Sequence, residues 1–150
     1  GRSLNSKIVN ALKQKQGKLF DDLAKTTGIP VQDLQKYDIL TEVPLETTNG
    51  FMKADIVFIK INKTTDKIED VIIIENKLSK STAFTERQKE GFGAILKGQE
   101  QMNIKYTPRD TDLLNGIKSL KISKNKIFKI SDGGTDDITK VSIEKITKIR

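Results

Sequence analysis

Apolar residues recur with a helical period in the first third of the chain. Leu4, Ile8 and Leu12 stand four residues apart, which places them on one face of a helix. A second apolar stripe covers residues 19–24 and ends before Gly28, a residue typical of helix ends. The pattern therefore predicts a helical layer over residues 1–37.

The pattern changes to that of strands after residue 37. Three apolar runs, over residues 39–48, 51–61 and 68–78, predict an antiparallel meander. The third run contains Val71-Ile72-Ile73-Ile74, and four consecutive β-branched residues favour a strand that is buried on both faces. This strand runs directly into Glu75-Asn76-Lys77, so two charged residues end a buried strand.

The turn residues predict the register of the first hairpin. Asn49-Gly50 is a strong signal for a two-residue hairpin loop. If this pair closes the hairpin, Glu46 lies opposite Lys53 and Pro44 lies opposite Asp55. Glu46 and Lys53 would then form an ordinary cross-strand pair.

The second hairpin is predicted to bring two carboxylates together. If its polar turn centres near Thr65, Asp55 lies opposite Glu75 on the same face of the sheet. Because alternate residues of a strand share a face, Lys77 points the same way as Glu75 and Asn76 points away.

A helix is predicted to follow this strand. Gln88 lies four residues before Phe92, on the helix face that points toward the sheet. Thr85-x-x-Gln88 also fits a capping box, and the pattern leaves both interpretations open.

The last third gives a weaker pattern. Residues 99–119 indicate a loop and then a short helix through Leu113 and Leu114, and residues 122–130 indicate a strand. The β-branched residues after the Gly133-Gly134 turn favour a strand, with a helix as the alternative. We divide a single domain into a helical layer (1–37), a core (38–98) and a basic C-terminal part (99–150).

Composition limits the chemistry. The chain has no Cys and no His, which excludes disulfides, thiol nucleophiles, Cys/His zinc sites and histidine acid–base catalysis. Its net charge is +7, of which +5 lies in residues 101–150. Such a lysine-rich segment suits a nucleic acid, although a solvated lysine surface explains it equally well. Aromatic residues make up only 5% of the chain, which argues against a platform for base stacking.

Asp55, Glu75 and Lys77 form the candidate site. Two carboxylates can hold Mg²⁺ or Mn²⁺ against a phosphate, and a neighbouring lysine can orient the attacking water. The alternative is an ion pair between Asp55 and Lys77, with Glu75 solvated at the strand end.

An Asp on a hairpin, Glu-x-Lys on the next strand and an inward Gln on the following helix resemble the PD-(D/E)XK nuclease superfamily. The resemblance covers residues 39–96 and implies a restriction-endonuclease-like α/β fold, a mixed central sheet with helices on its faces. It implies that Asp55 and Glu75 bind the metal, that Lys77 is catalytic and that Gln88, and in some branches Thr85, supports the site. The further glutamate that many members carry on the first helix is absent, because no Glu precedes Glu42. Its role is vacant or falls to Glu42, to Glu46 as a metal ligand, or to an Asp.

The segment from Ile73 to Gln88 also resembles C-terminal toxin domains of contact-dependent growth inhibition and related polymorphic toxin systems. This resemblance implies a nuclease that cuts tRNA or DNA, carried by a secreted effector into the cytoplasm of a target cell. It implies a cognate immunity protein as partner, and no membrane partner. A chain that begins at Gly1 rather than Met fits the tip of a larger effector. Two alternatives remain: a restriction- or resolvase-type DNA endonuclease, and a non-catalytic nucleic-acid-binding module.

Overall fold

The structure is a computed structural model and describes residues 3–108 and 112–149. The α-helices are α1 (Ser3–Lys13), α2 (Lys18–Thr27), α3 (Val31–Leu34) and α4 (Glu86–Leu96), and a short 3-10 helix covers Ile138–Lys140. The strands are β1 (Asp38–Thr47), β2 (Gly50–Ile61), β3 (Ile68–Lys77), β4 (Gln101–Asn103), β5 (Ser119–Lys121), β6 (Ile127–Ser131) and β7 (Ser142–Lys145). None of the described helices combines the length and apolar character needed to cross a membrane.

Five strands form one mixed sheet with the order β1-β2-β3-β6-β7. β3 pairs antiparallel with β2 and parallel with β6, and it therefore occupies the centre of the sheet. β4 and β5 form a separate two-stranded sheet. The predicted α/β class, with a mixed sheet built around an antiparallel meander, is confirmed.

β3 is buried on both faces, as its β-branched run predicts. Val71 and Ile73 pack into a core with α4, whereas Ile72 and Ile74 pack into a second core with α1 and α2. Each of these fully buried side chains contributes roughly 1.5–3 kcal/mol of hydrophobic stabilisation. This two-sided burial fixes which way the residues at the end of β3 point.

The predicted register of the first hairpin is wrong. Gly50 pairs with Thr47, so that the loop is Thr48-Asn49, Glu46 lies opposite Phe51 and Pro44 lies opposite Lys53. Neither Asn49 nor Gly50 has the positive φ that a type I′ turn at Asn-Gly requires.

Contacts with α4 explain the different turn. The backbone N–H and side-chain Nδ2 of Asn49 both donate to the Glu90 carboxylate, at 3.1 and 2.6 Å. These hydrogen bonds lower the pKa of Glu90 to about 2. A Cβ on Gly50 would lie 3.3 Å from the side chain of Arg87. The helix therefore holds the hairpin tip in a shape that the local sequence does not encode.

The register of the second hairpin is confirmed. Its ladder ends with Ile56 opposite Ile74, which places Asp55 opposite Glu75 at the next position. A register shift between Lys60 and Ile61 absorbs the irregularity near the turn. The alignment that brings the two carboxylates together therefore follows from the sequence.

The C-terminal third differs in three places. The strand predicted over residues 122–130 is interrupted by a turn in which the Lys126 N–H donates to the Ser123 carbonyl. A turn replaces the short helix predicted at Leu113 and Leu114, and the adjoining residues 109–111 lie outside the described part of the chain. β4 and β5 were not predicted, whereas β7 confirms the strand that β-branching favoured.

A buried tyrosine ties the helical layer to the sheet. Tyr37, which follows α3, donates its hydroxyl to Oδ2 of Asp70 on β3 at 2.5 Å. Lys126 donates to the same oxygen at 3.2 Å, and burial raises the pKa of Tyr37.

We expect Tyr37→Phe to lower the free energy of unfolding by about 1.5 kcal/mol, because it removes a hydrogen bond to a charged acceptor. Tyr106→Phe is the matched control. Because Tyr106 is exposed, loss of its hydroxyl should leave the free energy of unfolding almost unchanged. Urea unfolding monitored by circular dichroism measures both. Equal stability of the two variants would contradict the assigned role of Tyr37.

Candidate functional site

β2 and β3 are joined by side chains where their regular ladder ends. The Asp55 N–H donates to Oε1 of Glu75 at 3.0 Å, and the Asn76 N–H donates to Oδ2 of Asp55 at 2.8 Å. Each carboxylate thus binds a backbone amide of the opposite strand. This reciprocal arrangement holds the two carboxyl groups together at the sheet end.

Glu75 is completely buried. Burial raises its pKa well above the ordinary value, and the nearby charge of Asp55 and a hydrogen bond between the two carboxyl groups raise it further. The Asp55 amide and the charge of Lys77 act in the opposite direction. A second carboxylate beside a buried one makes ionisation of the pair costly without a compensating cation.

Gln88 links the two charged residues of β3. Its Nε2 donates to Oε2 of Glu75 at 3.0 Å, and its Oε1 accepts from Nζ of Lys77 at 2.5 Å. The same Oε1 accepts from the Thr85 N–H at 2.9 Å, and the Thr85 hydroxyl oxygen accepts from the Gln88 N–H. Both interpretations of Thr85-x-x-Gln88 are therefore confirmed at once: the capping box exists, and the same side chain reaches into the site.

Lys77 is buried beneath the segment that leads into α4. Its Nζ donates weakly to the Ala83 carbonyl at 3.4 Å and lies 5.3 Å from the centre of the Phe84 ring. Burial lowers its pKa, against the opposing effect of the two carboxylates, while the charge of Lys129 adds to the decrease.

The ion-pair interpretation of this site is wrong. No lysine or arginine nitrogen in residues 3–108 and 112–149 lies within 4.0 Å of an Asp55 or Glu75 oxygen. Glu75 is also fully buried rather than solvated. The two carboxylates thus lie side by side with no lysine or arginine of the described residues in direct contact.

Lys129 is a neighbour that the sequence did not reveal. It pairs with Glu75 across the parallel β3–β6 ladder, and its Nζ lies 5.7 Å from the centre of the Phe84 ring. That nitrogen is bound to the Lys80 carbonyl at 2.7 Å and to the Glu144 carboxylate at 3.3 Å. Only the pairing of β3 with β6 brings Lys129 here, and no local pattern in the sequence specifies that pairing.

Glu46 does not join the carboxylate pair. It is exposed near the hairpin tip, opposite Phe51. Glu46 lies four residues beyond Glu42, the position that faces Asp55, and is therefore about 13 Å farther along the strand. The first-hairpin register instead places Glu42 opposite Asp55, and both residues line one cavity of about 340 Å³. Glu42 has φ +53°, a strained value for a residue other than glycine.

Asn76 points away from Glu75 and Lys77, as predicted. Its side-chain amide donates to Oδ1 of Asn5 on α1, and it lines the same 340 Å³ cavity as Asp55. Its own Oδ1 is buried and has no hydrogen-bond partner in the described part of the chain. A buried acceptor that the described residues do not satisfy thus belongs to a residue of the cavity wall.

The residues present fit a divalent cation that prefers oxygen ligands. Asp55 and Glu75 supply two carboxylates, and Asp55 lines the 340 Å³ cavity. No set of three or more acidic side chains in residues 3–108 and 112–149 is arranged around one point. Mg²⁺ commonly binds to one or two carboxylates and takes its remaining ligands from water and phosphate, so this pair is sufficient.

We expect Asp55→Asn to stabilise the metal-free protein at neutral pH by about 1–2 kcal/mol. Asparagine keeps an acceptor for the Asn76 amide and can donate to Glu75, whose like-charged neighbour is removed. Because folding raises the pKa of Glu75, the metal-free wild type should lose stability as the pH rises above 4.5, the ordinary value. Asp55→Asn should lose less stability over the same rise in pH.

Thermal or urea unfolding in EDTA from pH 4 to pH 8 measures this difference. Glu46→Gln is the matched control, because it neutralises an exposed carboxylate on the neighbouring strand and should not change the pH dependence. A lower stability of Asp55→Asn at pH 8 than of the wild type would contradict the electrostatic assignment.

Comparison of the chain with known proteins finds no matching family model, no matching curated protein and no matching solved structure. The functional interpretation of the site therefore depends on its own geometry.

Proposed function

We propose that this protein is a metal-dependent nuclease of the PD-(D/E)XK type that hydrolyses phosphodiester bonds. The observation that supports the proposal most strongly is the Asp55–Glu75 pair. Two adjacent carboxylates, one fully buried with a raised pKa, have no lysine or arginine nitrogen of the described chain within 4.0 Å. Perturbed carboxyl groups held in such a costly arrangement are typical of functional sites.

The described side chains have distinct parts in this reaction. Mg²⁺ or Mn²⁺ bound by Asp55 and Glu75 would supply a Lewis acid that activates water and neutralises charge on the phosphate. Lys77, with its pKa lowered by burial, is suited to orient the attacking water or to stabilise the charge that develops on the phosphate. Gln88 is a positioning residue, because it fixes both Lys77 and Glu75.

The likeness of Ile73–Gln88 to toxin domains supports a more specific proposal. The protein would be the toxin domain of a larger secreted effector in competition between bacteria, acting on tRNA or DNA in the target-cell cytoplasm. A cognate immunity protein would then bind it. The net charge of +7 favours an acidic partner for both roles.

The rival from another class is a nucleic-acid-binding module without turnover. One observation favours it: both Glu75 oxygens accept hydrogen bonds from the protein, so the residue also connects β2 to α4. A restriction- or resolvase-type DNA enzyme is the rival within the nucleases. Metal dependence separates the classes, since EDTA should stop a nuclease and leave such a binding module unaffected.

We expect Lys77→Ala to reduce cleavage at least about a hundredfold, the usual effect of losing a proton-transferring or charge-stabilising group. Cleavage is measured on purified tRNA and on supercoiled plasmid, each with Mg²⁺ and with EDTA. Loss of tRNA alone indicates a ribonuclease, and nicking of plasmid alone indicates a DNase.

Lys89→Ala is the control for this experiment, because Lys89 follows Gln88 on α4 and forms a salt bridge with the exposed Glu86. It should retain wild-type activity. Circular dichroism should show both variants folded. Full activity of a folded Lys77→Ala protein would rule out the assigned role, and no cleavage by the wild type with any divalent metal would favour the binding module.

A second pair of variants separates the two roles of Gln88. Thr85→Ala removes the hydroxyl of the capping box and should cost about 1 kcal/mol of stability, but it retains the amide that binds Gln88 and should keep its activity. Gln88→Ala should cost a similar free energy and should also lower kcat on the order of tenfold, because Lys77 and Glu75 lose their common partner. Equal activity of the two variants would assign Gln88 to the helix cap alone.

A further inference from the structure

Two cavities adjoin on the side of the sheet that faces α1. The first, of about 340 Å³, begins at Asp55 and Asn76. The second, of about 830 Å³, extends past Lys53 to Tyr106. They share Lys13, Thr41 and Glu42 as lining residues, so together they form one continuous depression, which we call the α1 groove.

Alternate residues of β2 give this groove its chemistry. Met52 and Ala54 point into the core beneath α4, so Phe51 and Lys53 point the other way. Asp55 itself lines the 340 Å³ cavity. An aromatic ring, a cation and a carboxylate of the candidate site therefore follow one another along β2 at intervals of about 7 Å.

Two exposed aromatic rings meet at the far end of the groove. Phe51 is 37% exposed and Tyr106 is 46% exposed, and their ring centres are 6.1 Å apart with planes at 77°. Besides Leu78, they are the large apolar side chains that the described residues expose. The edge-to-face contact sets the Tyr106 ring against the cavity wall with part of its surface open to solvent.

The lysines of the groove are available for a ligand. Lys13 and Lys53 line the cavities, and neither forms a salt bridge or a side-chain hydrogen bond in residues 3–108 and 112–149. By contrast, Lys121, Lys126 and Lys129 of the basic C-terminal part are paired with acidic residues. The free cations next to Asp55 thus come from the first half of the chain.

We infer that the α1 groove binds an unpaired stretch of a nucleic-acid strand. A base stacks on Tyr106, the phosphates pass Lys53 and Lys13, and the strand leads to Asp55. Base faces are stacked on one another within a duplex and are accessible to an aromatic side chain only where the strand is unpaired. This inference rests on the proposed nuclease function, for which it specifies the substrate as a single-stranded segment.

The test measures binding of the wild-type protein to short fluorescein-labelled oligonucleotides in EDTA, by fluorescence anisotropy. Single-stranded RNA, single-stranded DNA and the duplex of each sequence are compared, and a gel checks that the probes stay intact. We expect a single strand to bind on the order of tenfold more tightly than its duplex, because one base gains the stacking contact. Preference for either single strand, or for both, supports the groove and identifies the accepted sugar.

Two substitutions with matched controls locate the binding. Tyr106→Ala should weaken single-strand binding on the order of tenfold, whereas Tyr106→Phe keeps the ring and should bind normally. Lys53→Ala should reduce the slope of log affinity against log salt by about one. Lys25→Ala should not, because Lys25 is an exposed lysine on α2, away from both cavities.

Equal affinity for single strand and duplex, a Tyr106→Ala variant that binds normally, or no binding of any oligonucleotide would each overturn the inference. The outcome is independent of cleavage. Metal-dependent cleavage together with normal binding by Tyr106→Ala would support the nuclease function and contradict strand binding in the α1 groove. Binding that depends on Tyr106, without cleavage under any metal, would support strand binding in the α1 groove and contradict the nuclease function.

Discussion

The crossed hydrogen bonds between Asp55 and the end of β3 determine the rest of the site. Each carboxylate accepts from a backbone amide of the other strand, so neither can leave without breaking the end of the sheet. Gln88 in turn donates a hydrogen bond to Glu75 and accepts one from Lys77. One local constraint therefore fixes the positions of four side chains, and it does so at an electrostatic cost that no cation among the described residues offsets directly.

The hydrophobic core enforces this arrangement. Ile72 and Ile74 pack against the helical layer of α1 and α2, and Val71 and Ile73 pack into the core with α4. With both faces of β3 occupied, a one-residue slip would expose buried isoleucines and move Glu75 to the wrong face. The free energy of burying these side chains thus also keeps a carboxylate out of water. This explains how a marginally stable domain retains a costly charged group.

The sequence predicted the parts of the site that depend on alternation within a strand. The apolar run before Glu75 identified the central strand, and the turn near Thr65 aligned Asp55 with Glu75. It failed where a distant element decides the local structure. Glu90 on α4 binds Asn49 and changes the first hairpin, so Glu42 rather than Pro44 lies opposite Asp55.

The sequence also did not reveal contacts that depend on parallel strand pairing or that join residues far apart in the chain. Lys129 reaches the site only because β6 pairs with β3. A low aromatic content argued against stacking, yet Phe51 and Tyr106 meet across the fold. Composition counts aromatic residues but does not show which of them lie together. The same holds for charge, since several lysines of the basic C-terminal part are already paired, whereas Lys13 and Lys53 have no acidic partner among the described residues.

The most direct test of the central claim is a titration of the purified protein with Mn²⁺ at neutral pH, followed by calorimetry or by electron paramagnetic resonance. We expect saturable binding of at least one ion per chain that Asp55→Asn abolishes and Glu46→Gln preserves. Absence of saturable binding in the wild type, or binding that Asp55→Asn leaves unchanged, would contradict the assignment of Asp55 and Glu75 as a metal-binding pair.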